Sequence, residues 1–489
     1  MMITRFNADS KSKIKFTAGE RLAIGAASMI GISHRAAKEA VDVSRTYYYE
    51  LGQKAVPLLE GMTASGEIAR SVILVTEEFI ERSVIALHTV CNTPESAIQY
   101  FMEQVCQVKI SNGKLYDILK AAEEKAAAHD AGISLEGIEV MATDEIFQGN
   151  QPILTAVDPA SGYVFMAEPA EDRSGETWHR ALDEQKEKGL DVKLNISDEG
   201  SGLLKGVQAA FPGIEMQPDI FHAMREVGRE ISAIERTAMG DLSDYCSLEY
   251  RIQNPQAHLS TRQKYNRLRL SIKNRLVRAD SLLILYHWLL EYTNFTGYGY
   301  EHCLKICGWI LDEMSALYPK SARLLDAIAK LRTNLPNVLG FLPRLRQSLI
   351  AMAREYHVPD YAFTLMYSQL SLDVEAEQYQ LIEDKLYHLF RDRFLEAKEA
   401  LNERIHSTYR ASSPIENVNG RLRVFMNVQR EIPDAQFSLL KMMLNTKKCH
   451  RSRKPERIGS SALDRLTGLD TPDFLDALLG TPHYIISAT

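Results

Sequence analysis

The chain has 489 residues, and at roughly 100–200 residues per domain this length predicts about three or four folding units. Apolar residues make up 45% of the chain and charged residues 25%, with only 27 glycines and 17 prolines, which excludes a collagenous, coiled-coil, low-complexity or wholly disordered protein. The net charge of −7 disfavours a protein that simply coats nucleic acid, although basic residues are concentrated in two segments.

No segment of the sequence predicts export or membrane insertion. The longest apolar run, near residues 282–290, is far shorter than the roughly 20 residues that span a bilayer, and residues 1–16 lack the apolar region of a secretory signal. Six cysteines in a chain of this length do not indicate a disulfide framework. We therefore expect a cytoplasmic protein that makes no contact with a membrane.

Residues 1–70 have the spacing of a helix-turn-helix unit. A first helix is predicted from Thr17 to Met29, Ser33 is expected to cap a short second helix, and Ser44 is expected to cap a third helix that begins RTYYYELGQKA. The residues that would face a DNA groove are Arg45, Thr46, Tyr47 and Tyr48. A small helical bundle with exposed tyrosines explains the same spacing, so both interpretations stay open.

Residues 71–136 predict a second helical trio. Helices are expected over residues 76–90, from Thr93-Pro94 onwards with the proline at the first helical position, and after Ser111 as an N-cap. The candidate phosphate contacts here are Lys109, Asn112 and Lys114. Plain helix packing explains this pattern nearly as well as a helix-turn-helix.

From about residue 137 the pattern changes to short apolar strands. The segments IEVMATDEIF, PILTAV and YVFMAE read as strands, and the Pro and Gly of DPASG fit the turn between the last two. An amphipathic helix over residues 174–188, the strand VKLNIS, a helix over residues 203–211 and the strand EMQPDIF follow. The order β-β-β-α-β-α-β predicts a mixed sheet with helices on its faces.

The rest of the chain is predicted to be mostly helical, and it carries both basic segments. Residues 222–407 read as helices, and a further helix begins at Pro414 and ends near residue 430. Residues 447–461 read as a basic loop, followed by a short helix and a tail. The basic residues of the first segment, residues 261–278, are Arg262, Lys264, Arg267, Arg269, Lys273, Arg275 and Arg278. A solvated helix face and DNA contact both explain that segment; we favour DNA contact because seven cations without a compensating acid repel one another.

Two aspartates follow apolar strand segments and are candidate metal ligands. Asp144 comes after IEVMAT and Asp198 comes after VKLNIS, so the two carboxylates are expected to converge at one end of the sheet. Carboxylate oxygens suit Mg²⁺, which uses few protein ligands and keeps several waters. Glu145 and Glu199 adjoin them, but adjacent residues of a strand face opposite sides, so only one of each pair should reach a metal. A strand-end cap or a turn residue is the alternative for each aspartate alone.

A third carboxylate, Glu416, lies in SSPIENVNGRLR. The four residues from Ser413 to Glu416 have the pattern of a capping box with proline at the first helical position, which is a structural explanation of this glutamate. The same helix start would also bring the carboxylate to the sheet edge. Further polar residues of this helix that could contact phosphates are Asn417, Asn419, Arg421 and Arg423.

The remaining histidines and cysteines give weaker signals. His222 follows Asp219 in DIFH just past the fifth strand, where a lone histidine is most often structural. Cys303 and Cys307 lie on one helix face, but no second Cys/His pair completes a tetrahedral metal site, so we expect both in the core.

Three blocks of this sequence together resemble the bacterial insertion-sequence DDE transposases, members of the ribonuclease H-like and retroviral-integrase superfamily. The blocks are ATDEIFQGNQPILTAVDPASGYVF, LNISDEGSGLLKGVQAAFPGIEMQPDIFHAMREV and RASSPIENVNGRLRVFMNVQRE. The resemblance implies that Asp144, Asp198 and Glu416 are catalytic and bind two Mg²⁺ ions, for which Mn²⁺ can substitute. It further implies that Asp219 and His222 support the site.

The resemblance also implies a domain order, partners and a location. The substrate would be double-stranded DNA, as transposon ends and target; the protein would assemble as a homodimer on those ends and associate with the bacterial nucleoid. A non-catalytic DNA-binding relative and a nuclease of the same fold are the alternatives. The implied divisions are a helix-turn-helix region at 1–70, a second helical region at 71–136, a ribonuclease H-like core at 137–228 and 406–460, an all-helical insertion at 229–405, and a C-terminal helix and tail at 461–489.

Overall fold

The protein is mostly helical and contains one mixed sheet of five strands, which confirms the predicted combination of α and α/β structure. A computed structural model describes residues 18–29, 31–38, 43–60, 71–73, 75–198, 200–429, 432–452, 454–482 and 485–487.

The N-terminal helices form a small bundle with its own apolar cluster. They are α1 (Ala18–Met29), α2 (His34–Lys38) and α3 (Arg45–Glu60). The Oγ of Ser44 accepts the Tyr47 N–H at 3.2 Å, as predicted for the cap of α3, whereas Thr17 lies outside the described residues.

Tyr48 is part of this core, so the prediction that it faces a groove is wrong. Its side chain is 0% exposed and its hydroxyl donates to the Ile32 carbonyl at 2.8 Å. The reason is helical periodicity: Tyr48 shares a face of α3 with the buried Leu51 and Ala55, three and seven residues further on. Arg45 and Thr46 are exposed and Tyr47 is half-buried.

The next helices pack against the sheet rather than standing apart from it. After the short strand β1 (Ser71–Ile73) come α4 (Glu77–Ile85) with a π-helical extension (Ala86–Val90), α5 (Glu95–Gln104) and α6 (Asn112–Ala131). The predicted cap at Ser111 accepts a backbone N–H at 3.2 Å, as does Thr76, which is the N-cap of α4 rather than its first residue. Pro94 is likewise the N-cap of α5 rather than its first residue. Apolar residues of α4 to α6 belong to the same buried cluster as residues of the sheet.

The central sheet has the predicted element order. Its elements are β2 (Val140–Gln148), β3 (Gln151–Val157), β4 (Val164–Pro169), α7 (Gly175–Lys186), β5 (Leu194–Ser197), α8 (Ser201–Ala210) and β6 (Glu215–Pro218). The spatial order is β4-β3-β2-β5-β6, in which β2, β3 and β4 pair antiparallel and β5 and β6 run parallel to β2.

The helical segment that follows begins two residues earlier than predicted, because the Asp219 carboxylate caps its first helix by accepting the Phe221 N–H at 2.8 Å. Its helices are α9 (Ile220–Ile252), α10 (Leu259–Tyr292), α11 (Tyr300–Leu317), α12 (Ala322–Val338), α13 (Phe341–Glu355), α14 (Ala362–Ser368), α15 (Glu377–Phe390) and α16 (Phe394–Ser407). Cys303 and Cys307 are both 0% exposed in its core, as predicted. Among the described helices, none combines the length and apolar character needed to cross a membrane.

The chain then returns to the sheet. It forms α17 (Ser413–Val428), α18 (Asp434–Thr446), α19 (Ala462–Thr467), α20 (Phe474–Leu479) and β7 (Ile485–Ser487). The end of the chain is thus two helices and a strand that pairs antiparallel with β1, not one helix and a tail. Buried Lys441 of α18 donates to Asp130 of α6 at 3.0 Å, which ties these two helices together over the sheet.

Both faces of the sheet are covered by helices. Side chains alternate between faces along a strand, so Ala142 and Ile146 of β2 pack with α4 to α6, α17 and α18, whereas Met141 packs with α7, α8 and α19. The helix α8 lies so close to α7 that a Cβ on Gly206 would stand 2.2 Å from the Cβ of Trp178.

The close approach of α8 to α7 can be tested by substitution at Gly206. We expect Gly206→Ala to push α8 away from buried Trp178 and to lower the unfolding free energy by about 1–3 kcal/mol, the usual cost of overpacking. The measurement is urea unfolding. Gly240→Ala is the matched control, since its Cβ would meet no atom within 4 Å in α9, and alanine there should be neutral or slightly stabilising. Equal destabilisation by both substitutions would contradict the packing argument.

Candidate active site

Three aspartates lie in a row across one edge of the sheet. Thr143 of β2 is paired with Ser197 of β5, and Ser197 with Pro218 of β6. The residue that follows each of these positions is an aspartate, and the three are Asp144, Asp198 and Asp219. Parallel strands present their carboxyl ends at the same edge, so this register gathers the acids without any further loop.

Asp144 lies in the middle of β2, inside the predicted strand segment IEVMATDEIF, and Thr155 of β3 is its partner. It is 8% exposed. Its Oδ1 accepts the Glu145 N–H at 2.8 Å, and its Oδ2 accepts a hydrogen bond from Asn419 Nδ2 of α17 at 2.6 Å.

Neighbouring Glu145 faces the other side of the sheet, as strand alternation requires. Its Oε1 accepts the indole N–H of Trp178 at 3.0 Å on the α7 side. Of these two neighbours, only Asp144 therefore faces the candidate site. Glu199, the neighbour of Asp198, lies outside the described residues.

Glu416 is not part of a capping box. The helix α17 begins at Ser413, its N-cap is Ser412, and no side chain makes a cap hydrogen bond there. The predicted structural explanation for Glu416 is therefore wrong. Its side chain is 42% exposed, and its Oε2 lies 3.7 Å from an amino group of Arg423.

The charges of Asp198 and Glu416 act on Asp144, so these three carboxylates lie near one another. The pKa of Asp144 is raised to about 6, mainly by burial and also by the negative charges of Asp198 and Glu416, while the Glu145 N–H and His222 act in the opposite direction. Asp198 is half-buried and its Oδ1 accepts the Gly200 N–H at 3.1 Å. In the part of the chain that the structure describes, no three His, Cys, Asp or Glu side chains are already gathered closely enough to hold a metal ion.

Asp219, His222 and Ser412 form a hydrogen-bonded group beside this edge. Asp219 Oδ2 lies 3.1 Å from His222 Nδ1 and also accepts the Ser412 hydroxyl. Burial alone would raise the pKa of Asp219, but the hydrogen bonds from His222, Ser412 and the Phe221 N–H outweigh it and lower that pKa. The hydrogen bond to Asp219 in turn raises the pKa of His222, which favours the imidazolium near Asp198.

The donor atoms at this edge are carboxylate oxygens, the ligand type of hard divalent cations. Asp144 is a buried carboxylate, and a nearby positive charge would favour its ionised form. The Oδ1 of Asn419 is also buried, and within the described residues it has no hydrogen-bond partner. An unsatisfied oxygen beside three acids fits a bound water or cation.

Asn419 was expected to contact phosphate, and the structure corrects this. It is 0% exposed and holds Asp144. The spacing from Glu416 to Asn419 is three residues, so both lie on the same face of α17, and that spacing alone could have identified Asn419 as a neighbour of the acids. Ser412 was missed because no local pattern links it to Asp219, 193 positions away in the sequence.

We assumed that no acid compensates the seven cations of α10. This is wrong in part, because acids on α9 pair with two of them. Lys264 Nζ lies 2.6 Å from Asp244 Oδ2, and Arg275 is paired with Asp241. The sequence hid these pairs because their partners are about 20 and 34 residues away, across the α9–α10 hairpin.

Two further cations of α10 contact other groups, and three are free. Arg278 lies over the ring of Tyr318 at 4.9 Å, and Arg262 donates to the Pro255 carbonyl at 3.0 Å. The exposed cations for which the described residues supply no ion pair or hydrogen-bond acceptor are Arg267, Arg269 and Lys273. A positive surface therefore remains on α10, but a smaller one than predicted.

The other expected DNA contacts are mostly on the surface. Lys109 is exposed; Asn112 accepts a hydrogen bond from Gln99 at 2.6 Å; and Lys114 is paired with Glu77 at 2.7 Å. On α17, the exposed residues are Asn417, Arg421 and Arg423. These sites are spread over the molecule and do not converge on the three acids, except for Arg423 beside Glu416.

Comparison with known families supplies independent information on this site. Residues 162–283 match the model of the Transposase, Mutator family. The match covers about a quarter of the chain, from β4 through most of α10, and includes Asp198, Asp219 and His222. A comparison with curated proteins gave no match. The family match supports a transposase.

The raised pKa of Asp144 generates a pH-dependent prediction. A carboxyl group whose pKa is raised by folding destabilises the folded state progressively as the pH rises from its ordinary value of 3.8 to the raised value, here about 6, and the loss is complete above that, whereas an asparagine cannot ionise. We expect the unfolding free energy of Asp144→Asn relative to wild type to shift in favour of the variant by up to about 3 kcal/mol between pH 4 and pH 8 without divalent ions. Denaturant unfolding at both pH values measures this difference.

Mg²⁺ should offset the destabilisation of the wild type at pH 8, because a ligand that binds only the folded state stabilises it. We expect Mg²⁺ at pH 8 to raise the melting temperature of wild type and not that of Asp144→Asn. Asp280→Asn, at an exposed position of α10, is the control and should behave as wild type in both experiments. A pH-independent difference would show that Asp144 is not the buried acid described above.

Proposed function

We propose that the chain is a DDE transposase with a ribonuclease H-like core, which binds the terminal inverted repeats of an insertion sequence and catalyses metal-dependent DNA strand cleavage and strand transfer. The observation that carries this proposal is the strand register that brings Asp144 and Asp198 to one edge of the sheet, together with the 2.6 Å hydrogen bond from Asn419 that holds α17, the helix of Glu416, against Asp144. The family match and the connectivity β-β-β-α-β-α-β support it.

In this proposal Asp144, Asp198 and Glu416 hold two Mg²⁺ ions, with Mn²⁺ as a substitute. When bound, the ions would supply an activated water or 3′-hydroxyl as nucleophile and stabilise the leaving 3′ oxygen of the DNA. Asp144 must be ionised to bind a cation, and because its pKa is raised to about 6, a bound cation would extend the ionised form to lower pH.

The surrounding residues act as positioning residues. Asn419 fixes the direction of the Asp144 carboxylate through its 2.6 Å hydrogen bond. The Asp219–Ser412 hydrogen bond fixes the segment that leads into α17, and therefore the position of Glu416 relative to β6. The His222 imidazolium offsets part of the negative charge of the site.

DNA recognition is assigned to separate parts of the chain. The helix-turn-helix at residues 1–70 and the second helical region would recognise the ends, using exposed residues such as Arg45 and Thr46. The free cations Arg267, Arg269 and Lys273 of α10 would contact phosphates without regard to sequence. Two ends brought together would require a homodimer assembled on DNA.

The direct test is loss of chemistry with retention of binding. We expect Asp144→Ala, Asp198→Ala and Glu416→Ala each to reduce metal-dependent nicking at the boundary of the element's terminal repeat by at least about 1000-fold, the scale of losing a group that acts in the reaction. Affinity for the same labelled duplex should stay within a few-fold of wild type. Denaturing gels measure nicking, and gel shifts in EDTA measure binding.

The control is Glu139→Ala, which removes an exposed acid near the sheet whose ion-pair partner among the described residues is Lys193. Cleavage retained by one of the three acid variants would remove that residue from the proposed site. Binding without any cutting by wild type would instead favour the non-catalytic DNA-binding protein. Cutting of duplexes that lack the repeat would favour a nuclease of the same fold.

A further inference from the structure

A large open cavity lies beside α17, and Asp144, Asp198 and Glu416 are not among the residues that line it. It has a volume of about 940 Å³, at the upper end of the roughly 300–1,000 Å³ of ligand sites. The turn between β3 and β4, the start of α9, residues 405–411, one face of α17, the loop after α18 and α19 all contribute to its walls. Among the lining residues that the structure describes are seven arginines and lysines and no aspartate or glutamate.

The charges of these seven side chains are not neutralised within the described part of the chain. None of them forms a salt bridge, whereas Lys448 in the same loop faces away and is paired with Asp464 at 2.8 Å. Two of the cleft cations are held by neutral acceptors: Arg465 Nε donates to the Ser161 carbonyl at 2.7 Å, and Arg410 donates to the Thr293 carbonyl at 3.2 Å. Like charges fixed close together without an acid create a strong positive potential.

The helix α17 lies between this cleft and the acid site of Asp144, Asp198 and Glu416, and it contributes residues to both. Residues along a helix are rotated by about 100° each, so Ser413, Asn417 and Arg421 form one face, and these residues line the cleft. Glu416 and Asn419 lie on the face that meets Asp144. A ligand in the cleft would therefore run along the opposite side of the helix that carries the third carboxylate.

The rim of the cleft adds an aromatic surface. Phe221 lines the cavity and is 61% exposed, an unusual state for a phenylalanine, and it is the second residue of α9. An exposed aromatic ring beside a positive groove has the chemistry that stacks on nucleic-acid bases. Asp158, which precedes Pro159 of the cleft wall, is buried, and its carboxylate accepts hydrogen bonds from the Ala160 and Ser161 N–H groups and the Ser161 hydroxyl.

We infer that this cleft binds the phosphodiester backbone of a DNA strand and holds it behind α17, next to but outside the acid site. The inference deepens the proposed function and rests on it for the choice of DNA as the polyanion. Seven uncompensated cations spread over several chain segments match a polymer that carries one negative charge per about 1.7 Å of duplex better than a single nucleotide.

The test uses charge removal with a matched control and needs no catalysis. The cleft variant is Arg451→Gln, Lys454→Gln and Arg457→Gln in one chain. The control variant is Lys305→Gln, Lys320→Gln and Arg323→Gln, three exposed cations of the helical insertion that form no salt bridge among the described residues. Fluorescence anisotropy in EDTA measures binding of a labelled duplex of arbitrary sequence from 50 to 300 mM salt.

We expect the slope of log affinity against log salt to become less steep by about 2–3 in the cleft variant, since each lost phosphate contact changes it by about 0.9. The control should keep the wild-type slope. An unchanged slope in the cleft variant would overturn the inference.

A second measurement uses the unaltered chain and does not depend on the variant's folding. Cys449 lines the cleft and is half-buried, whereas Cys91 is exposed elsewhere. We expect duplex DNA to slow maleimide labelling of Cys449 and not of Cys91, read by mass spectrometry. Protection of Cys449 by ATP or inorganic phosphate but not by DNA, or protection by RNA alone, would overturn the assignment to DNA.

These outcomes separate the cleft from the catalytic proposal. A wild-type protein that cuts at its repeat boundary while the cleft measurements fail would leave the proposed function intact. A wild-type protein that passes both cleft measurements but never cuts DNA would remove the catalytic proposal and leave the cleft.

Discussion

The register between β2, β5 and β6 is the constraint on which the candidate site depends. Because Thr143, Ser197 and Pro218 are aligned across the three strands, the next residue of each chain segment is an acid at the same edge. A slip of one residue in β2 would turn Asp144 to the α7 side and bring Glu145 towards α17 instead. Buried apolar residues on both faces prevent this slip, so the packing of the sheet fixes the chemistry of its edge.

The helical segment between the sheet and α17 is closed at its base by hydrogen bonds. The chain leaves the sheet at Asp219 and returns at Ser412, and the side chains of these two residues are hydrogen-bonded to each other. The Ile220 N–H also donates to the Arg410 carbonyl at 3.4 Å. The eight α-helices from α9 to α16 can therefore be placed between Asp219 and Ser412 without displacing Glu416, because the two ends of the segment are held together at the site.

Local patterns predicted those parts of the fold and the site that depend on local interactions. Strand alternation, the caps at Ser44 and Ser111, and the element order of the sheet follow from neighbouring residues, and the structure contains them. The errors concern distant partners. The charge of Lys264 is compensated from another helix, and the hydroxyl of Ser412 is used by an aspartate across the insertion. Tyr48 was misplaced because an aromatic residue at a helix start fits both a groove and a core.

The central claim is that acids from two strands and a returning helix form one divalent-cation site. Crystals of the wild-type protein soaked in Mn²⁺, with anomalous diffraction recorded near the manganese edge, test it most directly. The account predicts anomalous peaks within bonding distance of carboxylate oxygens of Asp144, Asp198 and Glu416, and loss of these peaks in Asp198→Ala crystals. Mn²⁺ bound only elsewhere, or peaks that persist unchanged in the variant, would contradict the account.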